Sequence, residues 1–188
     1  MATEKPDYKI LKKEATIELR EYTGYICASL DVTASSNNNA GNNAFSVLAD
    51  YIFGNNRDTS NIKMTVPVIT QQYKTSKKIP MTAPVITTQT DTNTYEVSFI
   101  LPSEYTMKTV PEPVSTLIRL HEVTKHRAVA IIFSGRSGED IIRTNTLVLN
   151  NWIKDNKLIQ NGRPLLARYD PPWKPGFMRK NEVIINVK

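Results

Sequence analysis

The sequence predicts an α+β fold in which a duplicated unit pairs about a pseudo-twofold axis, giving a curved antiparallel sheet or distorted β-barrel flanked by two main helices. Three observations predict it. Ile118-Arg119-Leu120-His121-Glu122-Val123-Thr124 answers Ile17-Glu18-Leu19-Arg20-Glu21-Tyr22-Thr23, with Ile, Leu, Glu and Thr matched at a constant offset of 101. The offset continues into a stretch of helical spacing, where Val47, Leu48 and Ile52 match Val148, Leu149 and Ile153, and Tyr51 matches Trp152. Segments of period-two alternation flank both helical stretches, which is the pattern of half-buried strands. The repeats run from about residue 8 to 101 and from 114 to 187, within a single domain over residues 1–188, a length that suits one sizeable core.

The elements follow in order. After a polar lead, Ile17 to Tyr22 alternates, Thr23-Gly24 signals a turn, and Tyr25 to Val32 supplies a more apolar strand, so the sequence predicts a hairpin. Ser35 to Asn43, with five asparagines, reads as a loop ending where asparagine can cap a helix. Phe45, Leu48, Ala49 and Ile52 then recur at helical spacing, and Gly54 stops the helix. Two near-identical phrases follow, Met64-Thr65-Val66-Pro67-Val68-Ile69-Thr70 and Met81-Thr82-Ala83-Pro84-Val85-Ile86-Thr87, offset by 17 residues. Each is rich in β-branched residues and carries one proline, the signature of an edge or bulged strand. Tyr95 to Leu101 is a further strand, and Val110 to Val114, with two prolines, reads as an extended linker. The second half repeats the order, with His121 and His126 on its hairpin.

The register changes before the end of each half. Glu96-Val97 and Glu182-Val183 are 86 apart, so the first half carries 15 extra residues between helix and closing strand. This is close to the 17-residue spacing of the two phrases and predicts a local second duplication. A loop-length difference around Asp170 to Lys180 gives the same number.

Composition excludes several classes. The formal charge is +6 and the pI about 9.4, which favours anionic partners, but Lys12-Lys13, Lys77-Lys78 and Arg179-Lys180 are scattered pairs with no basic stripe, so nucleic acid is not an expected partner. The single cysteine, Cys27, rules out an intramolecular disulfide and a thiolate-rich metal site, and its apolar neighbours make it a small core residue. No segment has the apolar length of a membrane span and the amino terminus lacks a signal core, so a cytoplasmic protein is expected. His121 and His126 read as surface residues in no metal-ligand spacing, and no metal is expected. No Gly-x-Ser-x-Gly phrase accompanies them, and Ser134-Gly135-Arg136-Ser137-Gly138-Glu139 lacks the ending of a phosphate loop, so no enzymatic constellation is present.

Tyr169-Asp170-Pro171-Pro172-Trp173-Lys174-Pro175-Gly176-Phe177-Met178-Arg179-Lys180-Asn181-Glu182-Val183, with Phe53-Gly54, Lys63-Met64-Thr65-Val66-Pro67-Val68 and Pro80-Met81-Thr82-Ala83-Pro84-Val85, resembles the SOUL haem-binding protein family over about Tyr8 to Val187. The resemblance implies a pseudo-symmetric antiparallel barrel with two helices. It also implies binding of haem or a related tetrapyrrole in an apolar groove beside the first helix, flanked by basic residues. An axial histidine, which some members place between the first hairpin and that helix, has no counterpart here, since Gly24 to Phe53 contains none. The same fold is shared with effector-binding domains for cationic or amphipathic small molecules, which supplies the alternative function.

A haem site needs an apolar slot and cations for the propionates. The expected site is therefore Phe45, Leu48, Ala49 and Ile52 on the helix, with Arg57, Lys63 and Met64 at its exit. The competing reading is that the four apolar residues are the stripe of any helix packed on a sheet, and that Arg57 and Lys63 are solvated loop charges. Glu21 and Glu122, matched across the duplication, are expected on the outer strand face.

Overall fold

The computed structural model describes residues 4–57, 76–171 and 173–188. Eleven strands and two helices are found among them: β1 (Tyr8–Glu14), β2 (Ile17–Tyr22), β3 (Tyr25–Thr33), α1 (Asn37–Ile52), β4 (Asn56–Arg57), β5 (Val85–Asp91), β6 (Thr94–Ile100), β7 (Glu112–Pro113), β8 (Arg119–Val123), β9 (His126–Ser134), α2 (Glu139–Asp155), β10 (Leu165–Arg168) and β11 (Lys180–Val187). Nine strands form one antiparallel sheet in the order β1-β2-β9-β11-β10-β5-β6-β3-β8, and β4 pairs with β7 separately. Without β1 the order is symmetric about the β10–β5 pair, as the duplication requires. The phrase at Met64 to Thr70 lies outside the described residues.

One face of the sheet carries the helices. Leu48, Tyr51 and Ile52 of α1 pack on Ile26, Ala28 and Leu30 of β3 and on Val97 and Phe99 of β6. Leu149, Trp152 and Ile153 of α2 pack on Val129, Ile131, Val183 and Ile185 of β9 and β11. Among the described residues no helix covers the opposite face, yet Arg20, Tyr22, Cys27 and Glu182 on it are buried. The sheet therefore curls into a half-barrel with that face inside, and alternate positions of its strands bury in both directions.

The expected hairpins do not form. β2 pairs with β1 and β9, and β3 pairs with β6 and β8, so the Thr23-Gly24 corner carries the chain from one end of the curled sheet to the other. Gly24 has φ +107, and a Cβ there would stand 3.0 Å from the Val123 carbonyl oxygen, so the close passage of the two corners requires glycine. Pairing across the halves stitches each to the other, which local hairpins would not.

Four more expectations are corrected. The polar lead contains edge strand β1, whose Lys9, Lys12 and Lys13 and bulge between Ile10 and Lys12 are the features that blunt an exposed edge. The asparagine-rich loop is helical from Asn37, capped by Ser36, whose Oγ accepts from the Asn39 amide at 3.2 Å. Burial of Ala40, Gly41 and Ala44 overrides the weak helix propensity of the asparagines. The phrase at Met81 is a strand only from Val85, and that strand is interior, between β10 and β6. Pro84 sits just before it, after a cis Ala83-Pro84 bond, where no ladder donor is needed. The proline segment around Glu112-Pro113 is ordered as β7 against β4.

Candidate ligand-binding site

The four apolar residues proposed on α1 separate into two sets. Leu48, Ala49 and Ile52 are buried, and Leu48 and Ile52 belong to the core beneath the helix, so the stripe reading holds for them. Phe45 is 38% exposed and packs on Phe99 of β6, ring centroids 5.6 Å apart and tilted by 60°. Arg57 is exposed on β4, facing Glu112 of β7 in register. Lys63 and Met64 lie outside the described residues.

One turn before Phe45, Gly41 leaves room for the Arg168 guanidinium from the end of β10, which donates to Thr87 Oγ1 at 2.7 Å and to Asn38 Oδ1 at 3.3 Å. Burial lowers the Arg168 pKa from its ordinary value, partly offset by the field of Glu139. Glu139 in turn begins α2 and accepts from the backbone amide of Asn37 at 2.8 Å, so the two helices meet at their N-termini around one carboxylate. The α1 surface thus offers a partly exposed aromatic on an aromatic base, with Arg168 held against its first turns, Arg57 beyond its C-terminal end, and no histidine among its own residues.

The inner face carries a buried ionic cluster that sequence reasoning missed. Arg20 donates to Glu182 at 2.6 and 3.2 Å and to Glu18 at 2.6 and 2.9 Å, lies 4.3 Å over the Tyr8 ring, and meets the Tyr22 hydroxyl at 3.2 Å. The Tyr169 hydroxyl donates to Glu182 at 2.8 Å. Burial would raise the Glu182 carboxyl, but the Arg20 hydrogen bonds and charge outweigh it and hold it below the carboxylate range. Glu18 is lowered in the same way, burial being outweighed by Lys13 and Arg20. In β2, Glu18 and Arg20 alternate with Ile17 and Leu19, the pattern of a solvent-facing polar edge. The only signal of burial was a partner 162 residues away.

Other groups fall as follows. His126 is half-buried, not a solvated turn residue, and stacks on Tyr22 at 5.1 Å. His121 is half-buried opposite Cys27 across the β8–β3 pair. Glu21 is partly exposed and ion-paired to Lys125 at 2.9 Å, while Glu122 is exposed. A cavity of about 290 Å³ opens at the inner-face end of β3, rimmed by Glu4, Asp7 and Glu122 and floored by Tyr25 and Ile100. Among the described residues, no group of three or more His, Cys, Asp or Glu side chains could hold a metal ion, and no helix is long and apolar enough to cross a membrane.

Comparison with solved structures shows the fold. The C-terminal domain of EcmrR aligns with a TM-score of 0.63 at 15% identity, covering 96% of this chain and 98% of that one. A structure described as a hydrolase from Listeria innocua aligns with a TM-score of 0.57 at 11% identity, covering 95% and 94%. No curated protein matches the chain significantly. The family model described as SOUL heme-binding protein matches residues 3–77 and 69–186. With that match spanning nearly the whole sequence and the two-helix half-barrel beneath it, the chain belongs to the SOUL heme-binding protein family.

Proposed function

We propose that the protein is a non-enzymatic, cytoplasmic carrier or buffer of haem or a related tetrapyrrole, held by apolar contact on the α1 surface around Phe45 without an axial histidine. Family membership supports the ligand class. The observation that carries the location is Phe45, an aromatic left 38% exposed beside the apolar core and seated on Phe99, on the helix that the family resemblance sets beside the groove. The propionates are assigned to Arg168, beside the first turns of α1, or to Arg57, beyond its end, through charge-assisted hydrogen bonds.

Haemin titration followed at the Soret band tests the reading, with saturation expected at micromolar haemin. Phe45→Glu should weaken binding roughly tenfold or more, the worth of one aromatic contact. His121→Ala and His126→Ala should leave the bound spectrum unchanged. Absence of a saturable change in the wild type would remove the proposal.

The alternative, an effector-binding module for cationic or amphipathic compounds, draws on the acidic rim of the inner-face cavity. It is the weaker reading because the buried glutamates of the inner face, Glu18 and Glu182, already have Arg20 as their counter-charge. Displacement of a lipophilic cationic dye by haemin, or its failure, separates the two sites.

A further inference from the structure

The connection between β10 and β11 spans residues 169–179, whereas its counterpart in the first half, between β5 and β6, is the two-residue turn Thr92-Asn93. The described residues of the long connection are tied by polar contacts. Asp170 anchors its base, accepting from Lys174 Nζ at 2.7 Å and from the Lys180 amide at 2.6 Å. Arg179 Nε donates to the Lys174 carbonyl at 2.8 Å, and turns close Lys174 onto Pro171 and Met178 onto Pro175. Gly176 lies against Arg136, where a Cβ would meet the side chain at 3.0 Å. None of these ties uses the loop's large apolar side chains. Trp173 is 83% exposed, Phe177 78% and Met178 54%.

A loop ordered by its own polar contacts, with its large apolar groups turned outward, presents those groups to something outside the chain. The surrounding charge is positive: Arg136, Lys174, Arg179 and Lys180 lie on or against the loop, and Lys5 reaches its Tyr169 ring at 5.4 Å. The acids among them, Asp170 and Glu182, are paired to Lys174 and to Arg20 and Lys180, and the cations on or against the loop still outnumber them. Tryptophan, phenylalanine and methionine ringed by lysine and arginine are what the boundary of an anionic bilayer accepts, the rings at headgroup depth and the cations at the lipid charges.

We propose that the β10–β11 loop docks the protein reversibly on anionic membrane surfaces, inserting Trp173, Phe177 and Met178. The apo protein is tested by co-sedimentation with vesicles of phosphatidylcholine alone or containing phosphatidylserine, so the outcome does not depend on haem binding. Partition onto the anionic vesicles should be at least tenfold stronger and should weaken at high salt. Tryptophan emission should shift blue on those vesicles, since Trp152 is already buried and Trp173 supplies the change. The double variant Trp173→Ala/Phe177→Ala should lose both signals while keeping the wild-type circular dichroism and melting temperature. No partition, equal partition onto both vesicle types, or partition that the double variant retains would overturn the proposal.

Discussion

Thr87 and Leu166 face each other across the β5–β10 pair and occupy the same position in the two halves. Thr87 pairs with Val97 of β6 and Leu166 with Val183 of β11, while Leu30 pairs with Val97 and Ile131 with Val183. The equivalences are therefore Leu30 to Ile131, Val97 to Val183 and Thr87 to Leu166, offsets of 101, 86 and 79. A residue that pairs with its own counterpart marks the axis, and here both members are buried. The fall from 101 to 79 puts 22 additional residues before β5 in the first half. The rise from 79 to 86 puts 7 additional residues in the β10–β11 loop of the second half. The 15-residue excess read from the sequence is the difference of these two insertions.

Gly41 and Arg168 lie beside this axis. An Ala Cβ at position 41 would stand 2.8 Å from Arg168 Cζ, so the guanidinium must leave Thr87 and Asn38. Gly41→Ala should gain about 1 kcal/mol of helix propensity and lose a similar amount in hydrogen bonds from a partly buried cation, leaving stability nearly unchanged. In an Arg168→Ala background the same substitution should stabilise by about 1 kcal/mol. Urea midpoints of the four proteins of this cycle measure the coupling, and a Gly41→Ala gain that is equal in both backgrounds would sink the idea.

Glu182 and Glu96 are counterparts at offset 86, and both bind an arginine, yet the settings differ. Glu96 meets Arg119 at 2.9 Å with that arginine half exposed, whereas Glu182 and Arg20 are wholly buried. Removing one member of the buried pair leaves the other uncompensated, so Arg20→Ala should cost about 3–5 kcal/mol. Arg119→Ala should cost about 1 kcal/mol or less. Chemical denaturation of the two variants checks the contrast.

What the sequence made legible was whatever repeated. The matched Ile17 and Ile118 strands and the Leu48 and Leu149 helices located the twofold, because burial against a helix forces the same apolar positions in both copies. Pairing partners were hidden, since alternation in β2 and β3 says which faces are buried and nothing about which strand lies alongside. That is why two adjacent strands read as a hairpin although each pairs elsewhere. At the proposed site, helical spacing identified α1 but could not tell Leu48, under the helix, from Phe45, a little less than one turn away and exposed. The inner cluster was invisible because Glu18 and Arg20 look like surface residues until Glu182 is brought to the other side of Arg20.

Stability should form a plateau bounded by titration of the inner face. Glu18 and Glu182 are lowered in the folded state, so their contribution is complete above the unfolded carboxylate value near 4.3 and is lost as pH falls through their folded values. Tyr22 is pushed up by burial to about 12, and Tyr25 and Tyr169 are raised further, also by burial. Their contribution is complete below the unfolded tyrosine value near 10 and is lost as pH rises beyond it. Melting temperature should be flat from about pH 5 to 10 as far as these groups decide it, and fall on both sides. Tyr169→Phe should flatten the alkaline limb, and an unchanged limb would refute the assignment.

Cys27 lies on the inner face near one end of the sheet, packed with Ile86 and Ile100 and facing His121 across the β3–β8 pair. Burial, with a smaller contribution from Glu96, pushes its thiol up to about 12. At pH 8 the thiol is then almost wholly protonated in the folded protein, whereas roughly a quarter of free cysteine is ionised. The histidine opposite does not make it a nucleophile, because reactivity needs both thiolate and access. A thiol-reactive chromophore should therefore label native protein only as fast as β3 is exposed by opening, and at once in denaturant. Labelling that is fast in native buffer and insensitive to stabilising conditions would show a reactive cysteine, and with it an inner face open to small molecules.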